Sequence, residues 1–120
     1  MSQPKTYAGS CHCAAVTFEV TADLDQELVT CNCSICSRTG AIMAFTPRQA
    51  FTLKSGQASL TDYQFATKRV HHVFCSVCGV RAFSFGDGPD GSLMYVVNVR
   101  CLDGVTLSAL KTKEFDGRSL

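Results

Sequence analysis

The sequence contains no tryptophan, only three prolines and no long uninterrupted apolar stretch. A membrane-spanning helix needs about 20 consecutive, predominantly apolar residues, and no segment approaches that length. Residues 1–7 also lack the apolar stretch of about 7 to 15 residues that a secretory signal peptide contains. These absences predict a soluble, cytoplasmic protein that does not associate with membranes.

A strong excess of charge of either sign is also absent. The 120 residues include 11 Lys and Arg and 10 Asp and Glu, which leaves a formal net charge of +1. Neither an intrinsically disordered chain nor a nucleic-acid-binding protein fits this balance, because both commonly carry a large net charge. The length, together with a hydrophobic fraction of 46%, predicts one domain over residues 1–120.

Cysteine, in contrast, is abundant, with eight residues in three close groups and one separate position. They are Cys11 and Cys13, then Cys31, Cys33 and Cys36, then Cys75 and Cys78, and finally Cys101. In a reducing compartment, closely spaced cysteines more often bind metal or react as thiols than form disulfides. If the protein were exported, the same residues would form disulfides whose pairing the spacing does not determine.

The two outer pairs predict a structural zinc site. Gly79 directly follows Cys75-x-x-Cys78 and can adopt the left-handed conformation that closes a zinc-binding turn. A structural zinc needs four ligands, and the other isolated pair is Cys11 and Cys13. Such a site would clip two distant segments of a small β-rich domain together. Free thiols or a disulfide are the alternatives.

The middle group contains three cysteines within six residues, Cys31, Cys33 and Cys36. Catalytic zinc sites commonly have three protein ligands and leave one position open for water or substrate. The odd number therefore predicts a second zinc with an open position. The alternatives are a structural zinc completed by Cys101 or a histidine, or three free thiols.

Residues 93–101 are β-branched and apolar, which predicts a buried strand. Alternation places Cys101 on an apolar face, where a cysteine is more often a small core residue than a ligand. The opposite face carries Asn98 and Arg100, which are candidates for lining a pocket. The histidines are expected to be surface or hydrogen-bonded side chains: His12, His71 and His72.

Many short strands separated by turn signals predict a mainly-β, antiparallel domain. One helical turn is expected at residues 34–40 and is ended by Gly40. The expected strands cover residues 15–20, 28–31, 41–45, 51–53, 60–65, 70–75, 81–85 and 93–102.

Four motifs carry a resemblance to a known family. They are Gly9-Ser10-Cys11-His12-Cys13, Cys31-Asn32-Cys33-Ser34-Ile35-Cys36, Phe74-Cys75-Ser76-Val77-Cys78-Gly79 and Val97-Asn98-Val99-Arg100-Cys101-Leu102-Asp103. From residue 9 to about residue 117, the chain resembles the glutathione-dependent formaldehyde-activating enzymes, also called S-(hydroxymethyl)glutathione synthases. The same domain occurs in centromere protein V and in many bacterial members of undetermined substrate.

The resemblance implies a mainly-β fold of small antiparallel sheets, folded over and clipped by structural zinc. This tent-like arrangement is shared with zinc-binding Rab accessory factors. The resemblance also implies two zinc ions: a structural one held by Cys11, Cys13, Cys75 and Cys78, and a second, more labile one held by Cys31, Cys33 and Cys36.

The sequence departs from the family pattern at two positions. Ala14 replaces a glycine that usually follows the first cysteine pair. An alanine is acceptable there unless the backbone needs a positive φ. Ser37 replaces a basic residue that often follows the middle group, and Arg38 stands one place later.

The implied activity is that of a carbon–sulfur lyase or synthase that condenses glutathione with formaldehyde to S-(hydroxymethyl)glutathione. The catalytic group would be Cys31, Cys33 and Cys36, with the glutathione sulfur as the fourth zinc ligand. The residues expected to contact substrate are Arg38, Asn98 and Arg100. A non-catalytic zinc-binding interaction domain and an enzyme for another thiol and aldehyde are the alternatives. A homodimer is compatible with the sequence, although no pattern requires one.

Overall fold

Residues 4–119 are described by a computed structural model of the chain, in which β-strands predominate. The strands are β1 (Lys5–Ser10), β2 (Thr17–Ala22), β3 (Leu28–Cys31), β4 (Met43–Pro47), β5 (Phe51–Ser55), β6 (Leu60–Tyr63), β7 (Val70–Cys75), β8 (Phe83–Asp87), β9 (Leu93–Asn98) and β10 (Thr112–Phe115). One α-helix, α1 (Cys36–Thr39), follows β3. Short 3₁₀ helices lie at Arg48–Ala50, Gln57–Ser59, Val99–Cys101, Leu107–Ala109 and Gly117–Ser119. No helix among residues 4–119 has the length and apolar content needed to cross a membrane.

The strands form two sheets. A three-stranded sheet has the order β1-β2-β5, and a seven-stranded sheet has the order β10-β3-β4-β9-β8-β7-β6. Neighbouring strands are antiparallel except for β10, which pairs with β3 in parallel. The predicted mainly-β fold of small sheets is therefore confirmed, with one parallel pair that the sequence does not predict.

An aromatic cluster joins the two sheets. In β2, Phe18 and Val20 are buried while Glu19 between them is exposed, as the alternation of a half-buried strand requires. The Phe18 ring stacks on Phe51 of β5 with 5.2 Å between ring centroids. It also packs edge-on against Phe83 of β8 at 5.7 Å. Because Phe83 belongs to the seven-stranded sheet, these rings fill the space between the sheets.

Several predicted elements have their predicted bounds. The bounds of β3 and β7 agree with the prediction, and Gly40 ends α1 with a left-handed φ of 67°. β2 begins two residues later than predicted, at Thr17. The reason is a turn over residues 11–16, closed by the Cys11 N–H, which donates to the Val16 carbonyl at 3.0 Å.

The predicted strand over residues 93–102 is wrong at its end. β9 stops at Asn98, and a 3₁₀ helix over Val99–Cys101 follows. The Asn98 Oδ1 atom accepts a hydrogen bond from the Arg100 N–H at 3.1 Å and caps that helix. Cys101 therefore does not lie on the strand face that alternation assigned to it.

Candidate functional site

Four cysteine sulfur atoms, the four-cysteine cluster, meet where β1 and β7 end. Cys11 and Cys13 lie in the turn after β1, Cys75 is the last residue of β7, and Cys78 lies in the following turn. All four sulfur atoms are within 4.8 Å of one another. The Cys13 sulfur is 3.7 Å from the Cys11 sulfur and 3.7 Å from the Cys75 sulfur. The fold thus brings together the two outer pairs of the sequence.

The sulfur spacing fits a tetrahedral metal ion and does not fit a disulfide. Zn–S bonds of about 2.3 Å at tetrahedral angles place two sulfur ligands about 3.8 Å apart, close to the 3.7 Å found here. The two sulfur atoms of a disulfide are about 2.05 Å apart. All eight cysteines lie within residues 4–119, and all are free. Because four thiolates are a common ligand set for structural zinc, this cluster could hold one zinc ion.

Backbone N–H groups and neighbouring sulfurs set the acidity of the four-cysteine cluster. The Val80 and Cys13 N–H groups donate to the Cys78 sulfur and lower its pKa to about 6. At Cys13, the Ala15 N–H also acts to lower the pKa, but desolvation and the neighbouring sulfurs outweigh it and raise the pKa to about 11. The four thiols therefore do not all ionise readily by themselves, and a divalent cation supplies the charge that holds four thiolates together.

Two residues in the left-handed conformation shape the turns of this cluster. Gly79 has a φ of 80°, and its N–H donates to the Cys75 carbonyl at 2.7 Å. Ala14 has a φ of 65°, and its N–H donates to the Cys11 carbonyl at 3.4 Å. An L-residue with a side chain is disfavoured in this region by roughly 1–2 kcal/mol. Position 14 therefore has the positive φ at which alanine is a poor substitute for the glycine of the family pattern.

The three middle cysteines, the triplet, form a second cluster at the end of β3. Cys31 ends β3, Cys33 lies in a turn, and Cys36 begins α1. Their sulfur atoms lie within 4.8 Å of one another, and within residues 4–119 no other cysteine, histidine or carboxylate joins them. The Cys33 N–H donates to the Cys31 sulfur at 3.4 Å, and the Cys36 N–H donates to the Cys33 sulfur at 3.5 Å. The triplet fits a metal ion that keeps a ligand position for another molecule.

The thiols of the triplet differ in acidity. Burial, followed by the hydrogen bond and charge of Cys33, raises the pKa of Cys36 to about 12. Burial also raises the pKa of Cys33, but the N–H and side-chain interactions with Cys36 outweigh it, and the net pKa is lowered. Cys33 therefore ionises more readily than Cys36.

Cys101 lies near the four-cysteine cluster and not in the triplet. Burial, and then the charges of Cys11 and Cys78, raise the pKa of Cys101 to about 11. A thiol in this position does not complete the triplet, and it belongs to neither group of candidate ligands. The alternative in which Cys101 supplies a fourth ligand to the triplet thus has no support in the fold.

Comparison with known proteins identifies the family of this chain. Residues 6–115 match the sequence profile of a family described as glutathione-dependent formaldehyde-activating enzyme. The chain belongs to the glutathione-dependent formaldehyde-activating enzyme family. It is also similar to a crystal structure of a Rhodobacter sphaeroides protein, with 34% sequence identity and a TM-score of 0.76. That match covers 88% of this chain and 99% of the other.

In this member of the formaldehyde-activating family, the turn after β10 packs on the triplet. The Asn32 Nδ2 atom donates to Asp116 at 2.9 Å, and its Oδ1 atom accepts from the Arg118 N–H at 2.9 Å. A Cβ added to Gly117 would lie only 2.7 Å from the Cys31 sulfur. Asn32 therefore holds the turn against the cluster. The sequence-based prediction missed this contact because β10 is exposed throughout and shows no apolar alternation.

Two cavities meet at the triplet. Both are lined by Cys31, Cys36 and Glu114. The apolar cavity has a volume of about 620 Å³, and its apolar walls include Val29, Met43, Phe45, Val70, Val96 and Phe115. The polar cavity has a volume of about 460 Å³ and is lined in part by Thr30, Asn32, Ser37 and Arg118. Of these two cavities, Val29 lines only the apolar one and Thr30 only the polar one, whereas Cys31 at the end of β3 lines both.

Arg81, absent from the sequence-based predictions, lines the apolar cavity. Burial lowers the pKa of its guanidinium, and the nearby charges of Cys36 and Cys33 act in the opposite direction. Its Nη1 atom is buried and has no hydrogen-bond partner among residues 4–119. The Asn98 Nδ2 atom donates to the Arg81 carbonyl at 3.2 Å and so fixes the backbone there. The sequence signal for it is a charged residue at the start of the strand expected over residues 81–85.

The residues predicted to contact substrate lie around the loop that carries the triplet. Arg38 is exposed, and its Nη1 atom donates to the Ser34 carbonyl at 2.6 Å. Arg100 is also exposed, and its Nε atom donates to the Gly40 carbonyl at 3.3 Å. Asn98 lines a smaller cavity of about 280 Å³ together with Arg81. Their roles in substrate binding stay predictions.

Proposed function

We propose that the protein condenses glutathione with formaldehyde to S-(hydroxymethyl)glutathione and catalyses the reverse carbon–sulfur cleavage. The observation that carries this proposal is the triplet, with three sulfur atoms within 4.8 Å of one another, no fourth protein ligand among residues 4–119, and two cavities that Cys31 and Cys36 line. Membership of the formaldehyde-activating family supports the same reaction class. A reducing cytoplasm is the proposed location, because all eight cysteines are free.

Zinc is the proposed metal at both clusters. The proposed structural ligands are Cys11, Cys13, Cys75 and Cys78, and the proposed catalytic ligands are Cys31, Cys33 and Cys36. When bound at the triplet, zinc supplies an open coordination position that favours the thiolate form of a substrate sulfur. The four-cysteine cluster is assigned a structural role because its own residues complete a tetrahedral shell.

The reactants need little chemical activation, so the main task of the site is to bring them together in the right orientation. The glutathione sulfur forms a bond to the aldehyde carbon, and the C=O π electrons move to the oxygen. The proton that the thiol lost to water returns to this oxygen. The polar cavity is assigned to glutathione because Asn32, Ser37 and Arg118 offer it hydrogen-bonding groups and a cation.

Cationic side chains around the triplet offset its negative charge. Three thiolates exceed the charge of one divalent ion, and a substrate thiolate adds a further negative charge. Arg81 lies close enough to Cys36 and Cys33 to interact with their charges. Arg38 and Arg100 are proposed to bind the glutathione carboxylates, and Asn98 is proposed to position Arg81.

NMR magnetisation transfer tests the proposal by measuring exchange between free formaldehyde and its glutathione adduct, with and without zinc-loaded protein. We expect the wild-type protein to accelerate exchange and Cys33→Ser, which removes one sulfur of the triplet, to abolish the acceleration. Cys101→Ser is the matched control, since it removes a thiol outside both clusters and should retain the acceleration. An exchange rate unchanged by micromolar wild-type protein would contradict the proposal.

A further inference from the structure

Exposed apolar side chains are concentrated around one side of the triplet. The apolar cavity, at about 620 Å³, falls within the roughly 300–1,000 Å³ typical of small-molecule sites. Six large apolar side chains are exposed among residues 4–119, and three of them line this cavity: Phe45, Val70 and Phe115. Because exposed apolar surface is unfavourable in water, its concentration here indicates a ligand-binding surface.

Neither formaldehyde nor glutathione buries such a surface effectively. Formaldehyde has no apolar chain, and glutathione carries carboxylates and an ammonium group that would lose hydration against apolar walls. Glutathione is better matched to the polar cavity, which Arg118 and Asn32 line. The apolar cavity therefore fits an occupant with a chain or ring of several carbon atoms.

Two residues that line the apolar cavity carry buried polar atoms without partners. These atoms are His72 Nδ1 and Arg81 Nη1, which have no hydrogen-bond partner among residues 4–119. Buried polar groups are nearly always hydrogen-bonded, because an unpaired one is unfavourable. Cys31 and Cys36 line the same cavity. Arg81 itself lines the cavity and lies near Cys33 and Cys36, so an occupant whose oxygen atom accepts from the guanidinium would place its reactive carbon beside the triplet.

We propose that, besides formaldehyde, the site accepts aldehydes with an apolar chain, which binds in the apolar cavity with the carbonyl oxygen facing Arg81. This inference rests on the proposed thiol–aldehyde reaction and names a further substrate class for it. The thiolate sulfur forms a bond to the carbonyl carbon, the C=O π electron pair moves to oxygen, and the alkoxide beside Arg81 takes a proton from water. The step needs no oxidant or reductant.

A series of straight-chain aldehydes tests the inference. Acetaldehyde, butanal and hexanal have similar intrinsic reactivity and differ in apolar length. For each aldehyde, kcat/KM for adduct formation with glutathione is divided by the uncatalysed rate constant. We expect this ratio to rise by up to about fourfold for each added methylene. A ratio that stays level or falls along the series, in protein that accelerates formaldehyde exchange, overturns the inference and leaves the proposed function intact.

Two aspartate variants form a matched pair for the cavity. Val70 and Leu107 are both 38% exposed, and Val70, unlike Leu107, lines the apolar cavity. Val70→Asp is expected to lower the hexanal-to-acetaldehyde preference by about tenfold, and Leu107→Asp should leave it unchanged. Equal effects of the two variants on this preference would count against the cavity assignment.

The role of Arg81 is tested separately from the chain-binding walls. Arg81→Gln is expected to lower kcat/KM by about 100-fold for every aldehyde, because it removes a donor to the developing alkoxide. The dependence on chain length should persist. An Arg81→Gln protein that retains wild-type kcat/KM values would overturn the assignment of the carbonyl oxygen to Arg81.

A binding measurement separates this inference from the proposed function. If no aldehyde is accelerated, formaldehyde included, the proposed function is wrong. Hexanamide, which has an apolar chain and does not react, is then titrated into protein with ¹³C-labelled methyl groups. Saturating shifts of the Val29 and Val96 signals, weakened in Val70→Asp, would support the apolar cavity as the chain-binding site, and the absence of shifts would overturn it.

Discussion

Among single residues, Ala14 combines backbone strain with a position next to a candidate metal ligand. Its φ of 65° is one that glycine adopts easily and alanine does not. The hydrogen bond between the Cys11 N–H and the Val16 carbonyl, at 3.0 Å, closes the same turn. Strained conformations persist where surrounding contacts determine the backbone. At Ala14 the constraint is the four-cysteine cluster, because Cys11 and Cys13 must both reach it.

Ala14→Gly is therefore expected to raise the free energy of unfolding by about 0.5 to 1 kcal/mol. This is the strain of roughly 1–2 kcal/mol less the greater chain entropy of unfolded glycine. Denaturant unfolding of zinc-loaded protein measures the change. Gly79→Ala is the reciprocal control. Gly79 has a φ of 80°, and an added Cβ would meet no atom within 4 Å. The loss of stability expected for this variant therefore comes from backbone strain alone. A less stable Ala14→Gly protein would show that the turn stores no strain.

For strands and turns, the sequence predicts those elements that bury one face or contain a turn residue. β2 alternates clearly around Phe18 and Val20, and Gly40 ends α1 as expected. β1 and β10 could not be predicted, because half of the β1 residues and all of the β10 residues are exposed, and neither strand has an apolar period. The end of β9 depends on a hydrogen bond of the Asn98 side chain, which periodicity does not encode.

The candidate site likewise has a part that the sequence predicts and a part that it does not. Short spacings predict that Cys31, Cys33 and Cys36 cluster, because a single turn brings them together. The contribution of Arg81 depends on how β8 and β9 pack against the triplet loop, and that of Gly117 depends on the pairing of β10 with β3. These long-range contacts leave no local signal in the sequence.

The turn after β10 is expected to control metal retention at the triplet. Gly117→Ala should weaken zinc binding there by about tenfold or more, because its Cβ would lie 2.7 Å from the Cys31 sulfur. Asn32→Ala releases the same turn without a clash and should act in the same direction. Competition with a chromophoric zinc chelator measures both, with zinc at the four-cysteine cluster as the internal control. Wild-type retention in both variants would exclude a role for the turn.

At the scale of the whole molecule, the two clusters differ in what they connect. The contact between Cys13 and Cys75 joins positions 62 residues apart. Cys11 and Cys75 are also part of the hydrophobic core. The triplet, in contrast, lies within one short loop. Metal at the four-cysteine cluster should therefore support the fold, whereas metal at the triplet should matter mainly for activity.

Serine substitutions should separate these two contributions. Cys33→Ser is expected to lower the zinc content from two ions to one per chain and to leave the circular dichroism spectrum unchanged. Cys78→Ser should cost a large part of the roughly 5–15 kcal/mol that stabilises a typical domain, because it opens the four-cysteine cluster. Elemental analysis and thermal unfolding measure both effects. A Cys33→Ser protein that unfolds like Cys78→Ser would contradict this division.

The two cavities that meet at the triplet also bear on the order in which the reactants bind. They share Cys31, Cys36 and Glu114, but different residues line the rest of each cavity. We therefore expect a molecule in one cavity to leave the residues that line only the other cavity accessible. Such a site imposes no compulsory order of addition. A dead-end analogue of either substrate should then be competitive with that substrate and noncompetitive with the other, which is the pattern of a random ternary-complex mechanism. The concentration of the scarcer reactant would then limit the turnover rate, whichever reactant binds first.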